Sequence, residues 1–327
     1  MQLEKLAEKI ISGYVLTKEE ALELYKAPLE VLKESASKIT HHFFKDDLEL
    51  CCISNGKCGK CSEDCKFCAQ SRFYNTQIET SPLKTVEEFV AEAKESFEKH
   101  IHRYSIVTAG VRLSKAEIDV IAKAFKKIKD EVGIASCGSL GLLDFDDFVK
   151  LKESGMARYH CNIETSPNYF KSICTTHSME DKDATIKAAK KAGLQICSGC
   201  IIGMGESVED RVDIALHLRD LKVDSTPINI LNPIAGTPLE HQSPLTQEEI
   251  ERTIAVFRHI LPKVVLRLAG GRLKIQSFYT KLYDFGINSQ ITGDMLTTAG
   301  LTVACDIHNA ISLNKTLKRI DPLEVEP

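Results

Sequence analysis

From about residue 50 to residue 296, the chain alternates between two patterns of apolar and polar positions. Short apolar runs bounded by turn residues predict β-strands, and longer stretches with apolar residues at helical spacing predict helices between them. The predicted strands are 51–55, 103–110, 133–139, 158–165, 195–203, 225–233, 264–271 and 289–296. Because helical stretches such as 85–100, 114–131 and 246–261 separate them, the pattern predicts an α/β fold, a TIM-type (β/α)8 barrel of parallel strands.

The segments on either side of the barrel have different patterns. The first 45 residues predict helices, one of which begins after Thr17, an N-cap residue with the acidic Glu20 three residues further on. The end of the chain predicts a short helix or a poorly ordered end. We therefore expect an N-terminal helical extension at 1–45, the barrel at 46–300 and a C-terminal tail at 301–327.

The composition is that of an ordinary globular protein, with 43% hydrophobic residues and a net charge of −4 over 327 residues. This slight acidity argues against a nucleic acid partner, since phosphate binding requires clustered lysine and arginine. The sequence has no signal peptide pattern and no apolar run that could span a membrane, so we expect a cytoplasmic location without membrane contact. Twelve cysteines in a cytoplasmic chain indicate metal or redox chemistry rather than disulfides.

Four cysteines, Cys58, Cys61, Cys65 and Cys68, fall within "GKCGKCSEDCKFCAQ" at 56–70, which we call the cysteine loop. A zinc site would use them as two CxxC pairs, but such sites usually separate the pairs by a dozen residues or more. Iron–sulfur clusters also bind cysteine thiolates, often from one short run. The CxxxCxxC spacing of the last three predicts that they hold three corners of a 4Fe–4S cluster and leave its fourth iron open, with Cys58 outside the site.

The CxxxCxxC motif, with Phe67 just before its last cysteine, resembles the signature of the radical S-adenosylmethionine family. The resemblance implies that S-adenosylmethionine binds the open iron of a 4Fe–4S cluster and that one electron cleaves it to methionine and a 5′-deoxyadenosyl radical. The motif follows the first predicted strand, and in (β/α)8 barrels the chemistry lies at the C-terminal ends of the strands. We therefore expect the site in the mouth of the barrel.

Between about residues 50 and 300 the chain is also similar to the biotin synthase family. Five motifs carry the resemblance, in the same order around the barrel: "CSEDCKFCAQS" (61–71), "CSGCIIGMGE" (197–206), "TPINILNPIAGTPL" (226–239), "LRLAGGR" (266–272) and "MLTTAG" (295–300). The resemblance implies an enzyme that inserts sulfur into dethiobiotin to form biotin. It also implies that an auxiliary iron–sulfur cluster supplies the sulfur.

The same resemblance implies roles for individual residues. Arg267 is expected to be an unusual ligand of the auxiliary cluster and, with Asn229 at dethiobiotin, to form the catalytic pair. The residues expected at S-adenosylmethionine are Phe67, Thr108, Ala109, Gly110, Asn162, Glu164, Lys182 and Ile202. Those expected at dethiobiotin are His160, Asn162, Asn229, Thr297 and Thr298, the two threonines at its carboxylate. Residues two apart on a strand share a face, so His160, Asn162 and Glu164 can converge.

The chain departs from the family at the auxiliary cluster. Cys137, Cys197 and Arg267 stand at the expected third, fifth and seventh strands, but Ser105 replaces the second-strand cysteine, and a serine hydroxyl is a far poorer ligand for iron. A set of Cys137, Cys161, Cys197 and Cys200 would suit a four-iron cluster, which we favour over a 2Fe–2S cluster. Strand alternation counts against Cys161, and Cys200 faces inward only with a bulge at 198–199. No role is predicted for Cys51, Cys52, Cys58, Cys174 or Cys305.

The expected partners are dethiobiotin, S-adenosylmethionine, a flavodoxin- or ferredoxin-type electron donor and the iron–sulfur assembly machinery, and the enzyme is expected to be a homodimer. Two other functions stay open. A radical enzyme with another substrate, such as the hydrogenase-maturation or methylornithine-forming enzymes, would share the fold and the first motif. A non-enzymatic iron–sulfur carrier would need neither a substrate cavity nor S-adenosylmethionine.

Overall fold

Parallel strands close into a barrel with eight positions, which confirms the predicted TIM-type fold. The structure, a computed structural model, describes residues 3–322. Its strands are β1 (Asp47–Lys57), β2 (Arg103–Thr108), β3 (Ala135–Ser139), β4 (Met156–His160), β5 (Gln195–Cys197), β6 (Cys200–Ile202), β7 (Ser225–Ile230), β8 (Val265–Leu268), β9 (Ser289–Ile291) and β10 (Thr316–Leu317). Pairing of β1 with both β2 and β9 closes the barrel.

The fifth position of the barrel is divided between β5 and β6. β5 pairs with β4 and β7, and β6 continues the pairing with β7 after a break at 198–199. At this break the main chain lies very close to the next strand, because a Cβ atom on Gly199 would lie 1.9 Å from the carbonyl oxygen of Pro227. Only glycine permits that approach.

Helices follow most strands and pack around the barrel. They are α1 (Leu3–Ile11), α2 (Lys18–Leu24), α3 (Leu29–Phe44), α4 (Val86–Glu98), α5 (Lys115–Glu131), α6 (Phe145–Glu153), α7 (Phe170–Ile173), α8 (Met179–Lys191), α9 (Val208–Asp220), α10 (Gln247–Ile260) and α11 (Val303–Ser312). The capping box predicted at Thr17 and Glu20 begins α2, and similar boxes begin α4, α5, α8, α9 and α10. No helix within residues 3–322 has the length and apolar character needed to cross a bilayer.

The N-terminal helices α2 and α3 dock on the outside of α9 and α10, and α1 packs on α3. Lys18 binds Glu209 and Asp213 of α9, and Ser35 of α3 lies 2.8 Å from the imidazole of His259 on α10. Burial lowers the pKa of His259 to about 4, so the imidazole is neutral at this contact. The extension and the barrel therefore share one hydrophobic core, which runs from α1 to α11.

The C-terminal segment folds back onto the barrel as α11 and β10. β10 adds to the start of β1, and the main chain of Ile320 exchanges hydrogen bonds with two side chains from inside the barrel, Glu49 and Arg103. Residues 323–327 of the predicted tail lie outside the described residues. The described part of this segment, from α11 to residue 322, covers the N-terminal end of the barrel, opposite the mouth.

Candidate active site

A cavity opens at the C-terminal ends of the strands and has two adjoining chambers of about 370 and about 240 Å³. Phe67, Cys68, Ile201 and Asn229 line both chambers. The predicted residues that line the larger chamber are Cys61, Cys65, Phe67, Cys68, Thr108, Ala109, Gly110, His160, Cys161, Asn162, Glu164, Lys182, Asn229 and Arg267. A cleft of about 910 Å³ at the opposite end of the barrel contains no predicted site residue.

The cysteine loop brings Cys61, Cys65 and Cys68 to the wall of the larger chamber. Their three sulfur atoms do not all lie within 4.8 Å of one another. A single zinc ion, with Zn–S bonds of about 2.3 Å, would require closer sulfur atoms. The main chain of Cys58 pairs instead with Ser81, and Cys58 is absent from the lining of either chamber. This arrangement suits a multi-iron cluster on the last three cysteines better than a zinc knuckle on all four.

Two carboxylates of the cysteine loop fasten it to the segment after α7. Asp64 accepts hydrogen bonds from the main-chain N–H of Thr175 at 2.8 Å and of Thr176 at 3.3 Å. Burial alone would raise the pKa of Asp64, but side-chain and main-chain hydrogen bonds, led by those from the hydroxyl and the N–H of Thr175, outweigh it and lower the pKa. Glu63 lies 2.7 Å from the imidazole of His177. These contacts hold the loop over the mouth of the barrel.

Cys174, to which the sequence assigned no role, lies beside the cysteine loop. Its sulfur is 3.7 Å from that of Cys65 and 3.3 Å from Nδ1 of His177, and the ligand atoms of these three residues lie within 4.8 Å of one another. A hydrogen bond from Cys65 lowers the pKa of the Cys174 thiol to about 4. No local motif marks this residue, because the topology brings it to the loop from a distant part of the chain.

The residues predicted at S-adenosylmethionine surround the side of the chamber next to the loop, with one exception. Thr108 ends β2, and Ala109 and Gly110 follow it. Glu164 and Lys182 face the cavity with their charged groups 4.0 Å apart. Burial raises the pKa of the Glu164 carboxyl. Asn162 accepts a hydrogen bond from the N–H of Gly199 at 3.2 Å and thereby fixes the break between β5 and β6.

The exception is Ile202, which does not face the cavity. Ile202 is fully buried in the core between the barrel and the helices, and its neighbour Ile201 lines both chambers. The reason is strand alternation, because adjacent residues of β6 point to opposite faces. Ile201 is therefore the residue of this motif that can contact a cofactor, and the placement of Ile202 in the prediction was wrong.

Of the residues predicted at dethiobiotin, His160 and Asn162 line the larger chamber, and Asn229 lines both chambers. The Asn229 amide is held by the main chain: Nδ2 donates to the carbonyl of Cys200 at 3.0 Å, and Oδ1 accepts from the N–H of Gly270 at 2.9 Å. One N–H and one lone pair of this amide remain for a ligand. Thr297 and Thr298 line the smaller chamber. The smaller chamber thus holds the Asn229 amide and the two threonines among apolar side chains that include Ile230, Leu231 and Leu296.

Below the larger chamber lies a second cluster of predicted residues, Cys137, His160, Cys197 and Arg267, which we call the deep site. Arg267 donates to the sulfur of Cys197 at 3.2 Å. Burial would raise the pKa of Cys197, but His160 and Arg267 outweigh it and lower the pKa to about 6. Burial would lower the pKa of His160, and the two thiols raise it to about 9. Thiolate character is therefore favoured at neutral pH, as iron ligation requires.

The surroundings of the deep site fit a buried anionic group. The buried arginines Arg103, Arg158 and Arg267 all contact one buried carboxylate, that of Glu49, and only Arg103 also reaches the half-exposed Asp321. Within residues 3–322, both terminal nitrogens of Arg158 and the hydroxyl of Ser105 have no hydrogen-bond partner. Buried charges of one sign require compensation. Thiolates and an iron–sulfur cluster would supply it.

Cys161 and Cys200 do not join the deep site. Cys200 is fully buried in the core between barrel and helices, near Glu206 and Arg211, and burial raises its pKa. The break at 198–199 leaves the strand alternation unchanged, so Cys200 points outward as Ile202 does. Cys161 lies near Lys182 and Glu164 at the level of the larger chamber. The proposed set of four cysteines is therefore not assembled in the structure.

The chain is similar to known proteins over nearly its whole length. Residues 57–218 match the radical SAM superfamily, and residues 227–314 match the Biotin and Thiamin Synthesis associated domain. The biotin synthase of Clostridium botulinum (strain Alaska E43 / Type E3) is 47% identical over 305 residues, which cover 93% of this chain and 96% of the relative. The biotin synthase of Brachyspira hyodysenteriae (strain ATCC 49526 / WA1) is 46% identical over 306 residues, which cover 94% and 92%.

Two solved structures are similar in fold. Methylornithine synthase (PylB) has a TM-score of 0.82 at 18% identity and covers 96% of this chain and 97% of its own. The hydrogenase maturase HydG from Carboxydothermus hydrogenoformans has a TM-score of 0.82 at 17% identity and covers 96% and 79%. At such low identity these structures support the barrel alone, whereas the relatives with nearly half of their residues identical define the family. The chain belongs to the biotin synthase family of radical S-adenosylmethionine enzymes.

Proposed function

We propose that this chain carries out the radical sulfur insertion of its family, from dethiobiotin to biotin, with one iron–sulfur cluster at the barrel mouth and a second one beneath it. The observation that carries the proposal is the single cavity that reaches from the cysteine loop to Arg267 of the deep site. In such a cavity the substrate lies between the place where a radical forms and the place where sulfur is stored. A non-enzymatic carrier would have no use for this passage.

At the mouth, Cys61, Cys65 and Cys68 would hold a 4Fe–4S cluster through three thiolates. The chemistry available there would be binding of S-adenosylmethionine at the open iron and its cleavage by one electron from the cluster. The chain's own residues then position the cofactor: Phe67 and Ile201 contact it through apolar surface, and Thr108, Ala109 and Gly110 present a main-chain edge. Glu164 can accept from hydroxyl groups, with Asn162 beside it, and Lys182 can pair with a carboxylate.

In the middle of the cavity, the chain would orient dethiobiotin for hydrogen abstraction. The free N–H and lone pair of Asn229, together with Asn162 and His160, match the donors and acceptors of the ureido ring. The hydroxyls of Thr297 and Thr298 would bind the carboxylate at the far end of the apolar chain. Two fixed ends limit the motion of the carbons between them, which favours reaction with a nearby radical.

In the deep site, Cys137, Cys197 and Arg267 would hold the auxiliary cluster that gives up sulfur. We propose a four-iron cluster there. The support is the register of β2 and β3, which sets Ser105 opposite Cys137. A two-iron cluster takes two protein ligands on each iron, and a serine removes one ligand from this adjacent pair. A cube with one protein ligand per iron does not require adjacent ligands.

The remaining parts of the proposal concern the molecule as a whole. We propose a cytoplasmic homodimer in which 1–45 is a helical extension, 46–300 the catalytic barrel and 301–327 a tail. The exposed Ile311 and Leu313 at the end of α11 offer apolar surface for a second copy. The cysteine loop is close to the surface, where a flavodoxin- or ferredoxin-type donor can approach. Sulfur consumed from the auxiliary cluster must be replaced, which calls for the iron–sulfur assembly machinery.

The test is a reaction under strictly anaerobic conditions with reconstituted protein, S-adenosylmethionine, dethiobiotin and a chemical reductant. We expect both 5′-deoxyadenosine and biotin, measured by mass spectrometry. The matched control is Cys58→Ala, which removes a cysteine of the same loop outside the predicted site and should leave both products unchanged. Wild-type protein that holds iron but releases no 5′-deoxyadenosine in the presence of dethiobiotin would overturn the proposed function.

A further inference from the structure

Two cysteines, Cys51 and Cys52, lie side by side on β1, and the strand turns them to opposite faces. The thiol of Cys52 points to the helical layer, where it lies 3.3 Å from the hydroxyl of Ser96 on α4. Cys51 shares its face with Glu49, which binds Arg267 inside the barrel, and with Ile53, which lines both chambers. Cys51 therefore points into the barrel and is fully buried there.

The register of the strands places Cys51 at the level of the deep site. One step, two strands across and two residues back, repeats three times around the barrel. Arg267 pairs with Pro227, and Ser225, two residues before Pro227, pairs with Cys197. Cys197 in turn pairs with His160, and Arg158, two residues before His160, pairs with Cys137. Cys137 pairs with Ser105, and Arg103, two residues before Ser105, pairs with Cys51.

These four residues form one layer of the barrel interior. In (β/α)8 barrels the inward side chains stack in layers of four, contributed by alternate strands. Cys51, Cys137, Cys197 and Arg267 occupy the first, third, fifth and seventh positions of this barrel. The guanidinium of Arg267 is close enough to interact electrostatically with all three thiols. The layer thus offers three sulfur donors and one nitrogen donor around the barrel axis.

We propose that Cys51 is the third thiolate ligand of the auxiliary cluster and compensates for Ser105. This inference rests on the proposed function, because it names a ligand of the cluster assigned there to the deep site. When the thiol binds iron, an S–Fe bond forms and the S–H proton is released to solvent. The resulting negative charge lies beside Arg267, where the buried arginines outnumber the buried carboxylate. The only hydrogen-bond partner of the Cys51 thiol within residues 3–322 is the carbonyl of Cys52, at 3.8 Å.

The test uses full-length protein with Cys61, Cys65 and Cys68 all changed to alanine, so that iron can bind only at the deep site. Into this background we place Cys51→Ala, Cys51→Ser and, as the matched control, Cys52→Ala. Each protein is reconstituted anaerobically, and its iron, sulfide and Mössbauer spectrum are measured. Circular dichroism of each apoprotein reports folding, and Cys51→Ser nearly preserves the volume of the side chain if alanine disturbs the core.

We expect the background protein and Cys52→Ala to hold the same auxiliary iron, and both Cys51 variants to lose most of it or to show a changed iron environment while staying folded. Full iron and an unchanged spectrum in Cys51→Ser and Cys51→Ala would overturn the inference and leave the proposed function intact. A background protein that binds no iron at all would instead count against the auxiliary cluster, and with it against the proposed function.

Discussion

The cysteine loop takes its three proposed ligands from residues 61–68, whereas the deep site takes its proposed donors, Cys51 included, from separate strands between residues 51 and 267. In the loop, short-range spacing sets the ligands and hydrogen bonds to the segment after α7 hold them in place. In the deep site, the barrel register sets the ligands and buried charges surround them. A local site survives changes elsewhere in the fold, while a site built from register depends on the whole barrel.

The largest difference between the two regions should appear when the loop is disabled. We expect Cys65→Ala to lower the formation of both 5′-deoxyadenosine and biotin by at least about 10³-fold, since the bound cofactor carries the chemistry. The auxiliary iron should stay, because the loop and the deep site have separate ligands. Product assays measure the loss of activity, and iron analysis of the same sample measures the auxiliary iron that is retained. Loss of all iron from this variant would show that the two sites do not form independently.

The buried charges give the next largest effect. Glu49→Gln should lower the free energy of unfolding of the apoprotein by about 3–5 kcal/mol, because three arginines lose their shared buried carboxylate. Urea unfolding measures this, with the exposed Glu8→Gln as the control, which should leave the stability nearly unchanged. An equal effect of the two changes would contradict the importance of these charges.

The same residue makes stability depend on pH. Burial would raise the pKa of Glu49, but the surrounding guanidinium groups outweigh burial and lower it from 4.5 to about 2. The carboxylate therefore stabilises the fold fully above about pH 4.5, and this contribution is lost as the pH falls towards 2. Wild-type apoprotein should lose stability more steeply than Glu49→Gln across that range. Urea unfolding at several pH values measures this. Equal slopes of the unfolding free energy against pH in the two proteins would contradict the prediction.

The smallest effect is expected in the passage between the two sites. Thr298→Val removes a hydroxyl that is proposed to bind the substrate carboxylate, so we expect the KM for dethiobiotin to rise about tenfold with a nearly constant kcat. Dethiobiotin methyl ester provides the control, because it lacks the negative charge and should react at similar rates with both proteins. An equal loss with acid and ester would place the carboxylate elsewhere.

The sequence predicts the features of the molecule that depend on local signals. The eight strands and the CxxxCxxC triplet were readable because alternation and spacing are local signals. It is harder to predict which side of a strand a residue points to, because a shift of one residue exchanges the two sides. For that reason Ile202 was predicted in place of Ile201. Counting alternate residues along β1 from the acidic Glu49 predicts that Cys51 points inward. No local signal, however, shows which residues of the other strands lie at the same level as Cys51.

The most direct test of the two-site account is the iron of the protein with Cys61, Cys65 and Cys68 changed to alanine. After anaerobic reconstitution we expect about four iron atoms per chain with a Mössbauer spectrum of a four-iron cluster, against about eight in the wild type. Iron near zero would contradict a separate deep site. A two-iron spectrum would contradict the proposed four-iron cluster.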